Sequence, residues 1–391
     1  MTTGVVIVGA SAAGLTVAEG LRRRDFTGSI TLVDAENELP YDRPPLSKQV
    51  LDGSWPPERA RLRDRAELDA LGVDLLLGRP AVRAEPAEHR LRLRDGSTLD
   101  YGTLVLATGL RARRLPGQGN LAGVHTLRTL DDSRRLRAEL LGARAVVVVG
   151  AGVLGCEIAA TARRLGRDVT LVEPAARPME RLLGPELGSH IAGLHTEHGV
   201  RVLTSTPVAG LVGEAGRVVG VRTGRGTVLP ADVVVVAIGG RPATDWLAGS
   251  GLTLDDGVVC DHRCRAADDV YAAGDVARFD VGTVRGIRLE NRTNATEQGL
   301  YVAADILGAT RGPYRPTPYV WSDQYRVRVQ VHGTVPEGAA VRIVEGTVPQ
   351  RRFVAHAEID GRLVGVVGWN SAGRTRTARA RLSAAALPSA P

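Results

Sequence analysis

Short apolar runs that stop on glycine dominate the pattern of this chain. Gly4-Val-Val-Ile-Val-Gly9-Ala-Ser-Ala-Ala-Gly14 reads as a buried strand, a tight turn and a helix start. Helical spacing of apolar positions continues through Leu15, Ala18 and Leu21. The pattern returns 141 residues later in Ala145-Val-Val-Val-Val-Gly150-Ala-Gly152-Val-Leu-Gly155-Cys-Glu157. Each unit is followed by a strand that ends on an acid, Thr31-Leu-Val-Asp34 and Val169-Thr-Leu-Val-Glu173. Further apolar runs end at Ala107-Thr108-Gly109, at Gly239-Gly240 and at Gly274-Asp275. The last part of the chain changes character. Alternating runs at 326–331, 352–358 and 363–369 predict antiparallel strands.

A strand, a glycine turn and a helix N-terminus aim backbone N–H groups at one point, where a pyrophosphate can sit. The terminal acids fall 25 and 23 residues after the first glycine of their units, near the spacing of an acid that binds ribose hydroxyls. One such fingerprint is weak evidence, but strand, glycines, helix and acid all occur twice. Ser11 replaces the middle glycine of the first copy and is small enough for close phosphate approach. Glu173 in the second copy favours a free 2′-hydroxyl, hence NADH over NADPH. Two dinucleotide sites in one chain suggest hydride passing from a nicotinamide to a flavin. The fold expected is α/β, with two Rossmann-like dinucleotide-binding domains and a C-terminal α+β domain. The FAD domain is read as 1–112 with 232–318, the NAD domain as 113–231 and the last domain as 319–391. A low-complexity tail that frays is expected from about 374.

Composition removes several other classes. At 391 residues, 43% hydrophobic and 24% charged, this is globular material of two or three domains. No apolar run reaches the roughly 18 residues of a membrane span, and no basic-then-apolar leader opens the chain, so a cytoplasmic location is expected. Three cysteines make no disulfide framework. Cys260-x-x-x-Cys264 is one cysteine pair with no second cysteine pair at ligand spacing, so no metal is expected. Residues 311–391 hold 12 arginines against five acids, which is the whole net charge of +7. Aromatics make up only 4% of the chain and do not interleave with that charge, which argues against nucleic-acid binding. Of the 50 basic residues 49 are arginine; the exception is Lys48.

The glycine units, Ala107-Thr108-Gly109 and Val270–Asp275 together resemble the two-dinucleotide flavoprotein reductases related to glutathione reductase. Leu39-Pro-Tyr-Asp-Arg43-Pro-Pro-Leu-Ser-Lys48 has no redox cysteine pair where the disulfide reductases of that fold carry one. It resembles instead the FAD-dependent ferredoxin reductases of bacterial oxygenase systems. So do Leu127-Arg128-Thr129, Glu290 with Asn294-Ala295 and Glu297-Gln298-Gly299, and Trp321-Ser322-Asp323-Gln324-Tyr325.

The resemblance implies an FAD site at Gly9, Ser11, Ala12, Ala13, Gly14, Asp34, Arg43, Lys48, Val82, Ala107, Thr108, Gly109, Arg128, Asp275, Glu290 and Trp321. It implies an NAD site at Gly150, Gly152, Val153, Leu154, Gly155, Glu157, Glu173, Arg181 and Gly239. Lys48 and Glu157 are the implied catalytic pair, the lysine contacting the flavin edge, and this offers a reason why position 48 is lysine. NADH is the implied donor and an acidic 2Fe–2S ferredoxin the implied acceptor, with the enzyme a monomer or weak homodimer. One departure stands out. Glu290-Asn291-Arg292 replaces the family's Glu-His-Trp, which leaves nicotinamide stacking and electron exit open. The alternatives are a flavoenzyme that reduces a small molecule, a quinone or oxygen directly, and a non-enzymatic dinucleotide sensor.

Overall fold

The computed structural model describes residues 4–281 and 284–382. Val5–Val8 is the central strand of a six-stranded sheet, running parallel to Ile30–Val33 on one side and Thr103–Leu106 on the other. Val270–Ala272 and Asp74–Leu76 continue the sheet outward, and Arg265–Ala267 closes one edge. Ala145–Val149 has the same place in a five-stranded sheet, parallel to Asp168–Val172 and Val233–Val236. The two units therefore repeat in three dimensions as they do in sequence. All four residues of Val5–Val8 are buried, the condition in which a parallel strand reads as a continuous apolar run.

Val233–Val236 corrects one boundary. Assigned above to the FAD domain, it pairs Val146 with Val233 and Val149 with Val236, so it belongs to the second sheet. The chain returns to the first lobe only at Gly240–Pro242, which runs antiparallel to Leu110–Ala112. The outgoing and returning segments thus lie side by side.

The last part is a five-stranded antiparallel sheet, ordered 319–324, 327–333, 362–369, 352–359 and 340–347. The tail differs from expectation. Ala372–Arg379 is helical, with Thr375 fully buried over Gly368. A Cβ on Gly368 would lie 1.8 Å from Thr375 Oγ1, so only glycine admits that packing. The rest of the tail, from residue 383, lies outside the described residues.

One hydrophobic core fills the first lobe. A second runs continuously from Leu136, Ile158 and Leu171 of the second lobe into Val329, Phe353 and Trp369 of the last sheet. Tyr41, Leu46, Val50 and Leu51 belong to this second core although they precede it by a lobe in sequence. Pro44 and Pro45 open the 3-10 turn Pro44–Ser47 with their fixed φ, and Gly53 at φ +79° ends the short helix Gln49–Asp52. The Lys48 loop is thereby held where all three parts meet.

Candidate active site

The junction of the three parts contains a cavity of about 540 Å³. Both glycine-turn helices, Ala12–Arg22 and Val153–Arg164, contribute first-turn residues to its wall. Neither helix has a side-chain cap at its N-terminus, and neither has an acid in its first turn. Ser11 stands at the first cap position, but its Oγ donates to Tyr41 O (3.1 Å) and accepts from Arg43 Nη1 (2.7 Å). The leading N–H groups of each helix therefore remain available to an anion. The turns are held from below. A Cβ on Gly9 would lie 2.2 Å from Ala107 O, and one on Gly14 1.9 Å from Gly9 O. The second copy matches, with Gly150 at 2.4 Å from Ala237 O and Gly155 at 1.9 Å from Gly150 O. Gly152 instead faces open space within the cavity wall, where only a backbone without a side chain lets a ligand come close.

The two strand-terminal acids perform one task in parallel. Asp34 accepts from Ala10 N (2.7 Å) and Glu36 N (2.9 Å), while Glu173 accepts from Ala151 N (2.6 Å) and Ala175 N (3.0 Å). Each carboxylate ties its own strand end to the glycine turn beside it.

Cations gather on the first cradle. Arg43 and Arg128 both line the cavity, and each has a buried Nε without a hydrogen-bond partner among the described residues. Burial, and then the neighbouring Arg43, pull the Arg128 guanidinium below its ordinary pKa. A bound diphosphate would relieve both the repulsion and the unpaired donors. Arg128 also donates to Asp275 Oδ2 at 3.3 Å. Uncapped helix ends, orphaned guanidinium nitrogens and glycines packed on backbone all suit two bound dinucleotides.

Lys48 and Glu157 form the centre of the junction. Lys48 is 7% exposed and Glu157 4%, and Nζ donates to Oε2 at 2.8 Å. Ser47 Oγ donates to the same oxygen at 2.5 Å. Oε1 accepts from Ser322 Oγ at 3.1 Å and from Asp323 N at 3.2 Å. A single carboxylate on the second lobe thus binds a loop of the first and the opening strand of the third. Ser47 and Ser322 had no assigned role in the sequence, although both lie inside motifs that it displays.

Most of the other expected residues also line the cavity: Ala12, Ala13, Ala107, Gly109, Glu290 and Trp321 from the FAD set, and Val153, Leu154 and Gly239 from the NAD set. Thr108 does not; its Oγ1 donates to Ala243 O at 3.1 Å. Val82, 40% exposed, lies in the small sheet of strand Ala81–Glu85, and Arg181 is exposed on the helix Glu180–Glu197; neither is part of the wall. The departure at 291–292 has a local explanation. Asn291 caps the helix Arg292–Ile306 by accepting from Asn294 N (2.7 Å), and Arg292 Nε donates to Asp42 Oδ1 (2.5 Å). Both residues line the cavity, so a helix cap and an ion pair occupy the place of an imidazole and an indole. None of the three cysteines lines the cavity. All three are buried, and burial raises each thiol's pKa, that of Cys264 to about 12. No described helix is long and apolar enough to cross a membrane.

The family model described as pyridine nucleotide-disulphide oxidoreductase matches residues 3–299. The chain belongs to the pyridine nucleotide-disulphide oxidoreductases. A second model, reductase C-terminal, matches residues 319–391. Among curated relatives, rhodocoxin reductase of Rhodococcus erythropolis is 39% identical, over 99% of this chain and 91% of its own. The ferredoxin–NAD(+) reductase component of the anthranilate 1,2-dioxygenase system of Burkholderia cepacia is 40% identical, over 98% and 95%. Among solved structures, a ferredoxin reductase from Rhodopseudomonas palustris superposes with a TM-score of 0.93 at 36% identity, covering 96% of this chain and 93% of that one. The covalent complex of putidaredoxin reductase with putidaredoxin gives 0.91 at 35%, covering 97% and 92%. As a pyridine nucleotide-disulphide oxidoreductase the chain is an oxidoreductase with FAD and NAD(P)H as its cofactors. The first cradle with Arg43 and Arg128 would hold the FAD diphosphate, and the second cradle the nicotinamide dinucleotide.

Proposed function

We propose that this chain takes hydride from NADH and delivers single electrons to an acidic 2Fe–2S ferredoxin that serves an oxygenase. The observation that carries the reading is the convergence of two uncapped dinucleotide cradles on one cavity containing a buried lysine–glutamate pair. FAD, when bound, supplies the chemistry that converts a two-electron hydride donor into a one-electron source. The residues of the chain place and polarise. Lys48 presents an ammonium to the cavity, Glu157 fixes its position, and Trp321 and Leu46 contribute apolar wall that displaces water. The acceptor reading draws on the relatives named as ferredoxin reductases and on the neighbour solved with putidaredoxin. The acidic character assigned to the ferredoxin draws on the last domain, whose described arginines are exposed except Arg379. Such a field speeds the encounter of opposite charges.

NADH oxidation followed with oxygen alone, and then with a 2Fe–2S ferredoxin and cytochrome c, tests the acceptor. Ferredoxin is expected to accelerate turnover, and increasingly so as salt is lowered. Turnover that ferredoxin never accelerates overturns the reading and leaves direct reduction of oxygen, a quinone or a small molecule, which the ion pair at Arg292 would then explain. Donor preference is assigned to Glu173, whose carboxylate repels a 2′-phosphate. Glu173→Gln is expected to narrow the NADH-over-NADPH ratio of kcat/KM by about tenfold, the scale of one like-charge contact screened almost as in bulk water. An unchanged ratio removes Glu173 from donor selection.

A further inference from the structure

Glu157 is the end of a longer buried polar chain. Ser322 Oγ accepts from Gln324 Nε2 at 3.0 Å, Gln324 Oε1 lies 3.0 Å from His195 Nε2, and His195 Nδ1 lies 3.1 Å from Tyr325 Oη. Ser322 and Gln324 are each 1% exposed and His195 is 0%. The route runs from the cavity, through the opening strand of the last domain, to the helix Glu180–Glu197 of the second lobe and back to the turn after that strand.

The ionised carboxylate fixes the direction of every bond along this route. A carboxylate only accepts, so the Ser322 hydroxyl proton points at Glu157 and its oxygen is left to accept. Gln324 must then offer its amide nitrogen to Ser322, which turns its carbonyl toward His195. The proton of the ring accordingly lies on Nε2. Burial lowers the His195 pKa to about 4, so the ring is neutral and Nδ1 accepts from the Tyr325 hydroxyl. All donors point one way, toward Glu157. Aligned bonds of this kind polarise one another and favour negative charge at their end.

Tyr325 holds its place at a conformational cost. Its φ is +55°, in the left-handed region that glycine adopts freely, yet a tyrosine occupies the turn. Its ring stacks on His198, centroids 3.7 Å apart, and its hydroxyl meets His195. An apolar junction would avoid burying a serine, a glutamine and a histidine together. Each of these groups instead completes a bond in the series.

We propose that Ser322, Gln324, His195 and Tyr325 are positioning residues that hold the Glu157 carboxylate, and through it Lys48, in the geometry for hydride delivery. This rests on the proposed function of the Lys48–Glu157 site. Without Ser322, Oε1 keeps, among the described residues, only the Asp323 amide at 3.2 Å, and the carboxylate can turn away from Lys48.

Four variants of the FAD-loaded enzyme test it: Ser322→Ala, His195→Leu, the two combined, and Ser322→Thr. At saturating NADH, stopped-flow bleaching of the flavin is expected to slow about fivefold to tenfold in Ser322→Ala, the scale of one lost hydrogen bond. The NADH dissociation constant should stay within about twofold, because these residues do not form the second cradle. The doubly substituted enzyme should be no slower than Ser322→Ala, since both changes interrupt one series. Ser322→Thr, which keeps the hydroxyl, should recover most of the rate. Additive effects, or bleaching at the wild-type rate in both Ser322→Ala and His195→Leu, overturn the proposal. Nitrogen NMR of histidine-labelled holoenzyme provides a readout that needs no nicotinamide. It should show His195 as the Nε2–H tautomer at neutral pH, and an Nδ1–H tautomer overturns the direction of the chain. A wild-type flavin that NADH fails to bleach removes the proposed function and its catalytic consequence, while the tautomer still decides whether the polarised chain exists.

Discussion

Glu157→Gln should leave a folded protein that NADH reduces about a hundredfold more slowly and that unfolds at markedly lower denaturant. The carboxylate accepts on both sides, from Lys48 and Ser47 at Oε2 and from Ser322 and the Asp323 amide at Oε1. Whichever way an amide turns, its NH₂ meets donors, and the Lys48 ammonium is left in a nearly closed space without an opposite charge. Breaking a buried pair from one side costs ~3–5 kcal/mol. Adding Lys48→Met should restore most of the stability, because the stranded charge is gone. It should not restore the bleaching rate, because the ammonium that faces the cavity is gone too. Denaturant midpoints and stopped-flow traces for the four members of this cycle separate the two effects. A Glu157→Gln enzyme as stable as wild type would mean that Lys48 finds another partner.

The two glycine units should separate FAD retention from NADH reactivity. Gly14→Ala places a methyl group 1.9 Å from Gly9 O and 2.9 Å from Ile7 Cγ2, and backbone cannot move aside cheaply. The turn below the first helix must open, so the protein should purify with little or no flavin absorbance. Gly155→Ala makes the same collision with Gly150 O in the second unit. That protein should purify yellow yet bleach with NADH at least about a hundredfold more slowly, the scale of an ångström-level displacement of reacting groups. Glu157 lies two residues further along the same helix and would be displaced with it. The visible spectrum before and after anaerobic NADH decides both cases. A Gly14→Ala protein with a full complement of FAD would show that the first turn yields without losing its ligand.

What the sequence displayed and what it concealed differ in range. The glycine units, the terminal acids and the strands of the last sheet are local patterns, and the structure has them where the spacing put them. Val233–Val236 was misassigned because four consecutive buried valines say that a strand is covered on both faces, not which sheet it joins. Ser322 lay in plain view within Trp-Ser-Asp-Gln, but its partner Glu157 is 165 residues away and no periodicity links them. Arg374-Thr-Arg-Thr looked like a frayed tail because its charge is conspicuous and its anchor is one small buried side chain, Thr375. Asn291 and Arg292 stood out as a departure; that one is a helix cap and the other half of an ion pair could be learned only from the neighbours the fold supplies.

The antiparallel link between Leu110–Ala112 and Gly240–Pro242 has a practical meaning for anyone recombining such enzymes. Entry and exit of the second lobe are adjacent backbone partners, so the lobe has the topology of a cassette that can be removed and the scar closed without stretching the chain. Its chemistry resists such modular exchange. Tyr41, Leu46, Val50 and Leu51 of the recipient lobe are embedded in the core of the cassette, and Glu157 fixes the recipient's Lys48 from the cassette side. A transplanted lobe that fits the hinge but not this plug would expose four large side chains and strand a cation. The compatibility of a chimera is therefore written in residues 41–51, far from either cut.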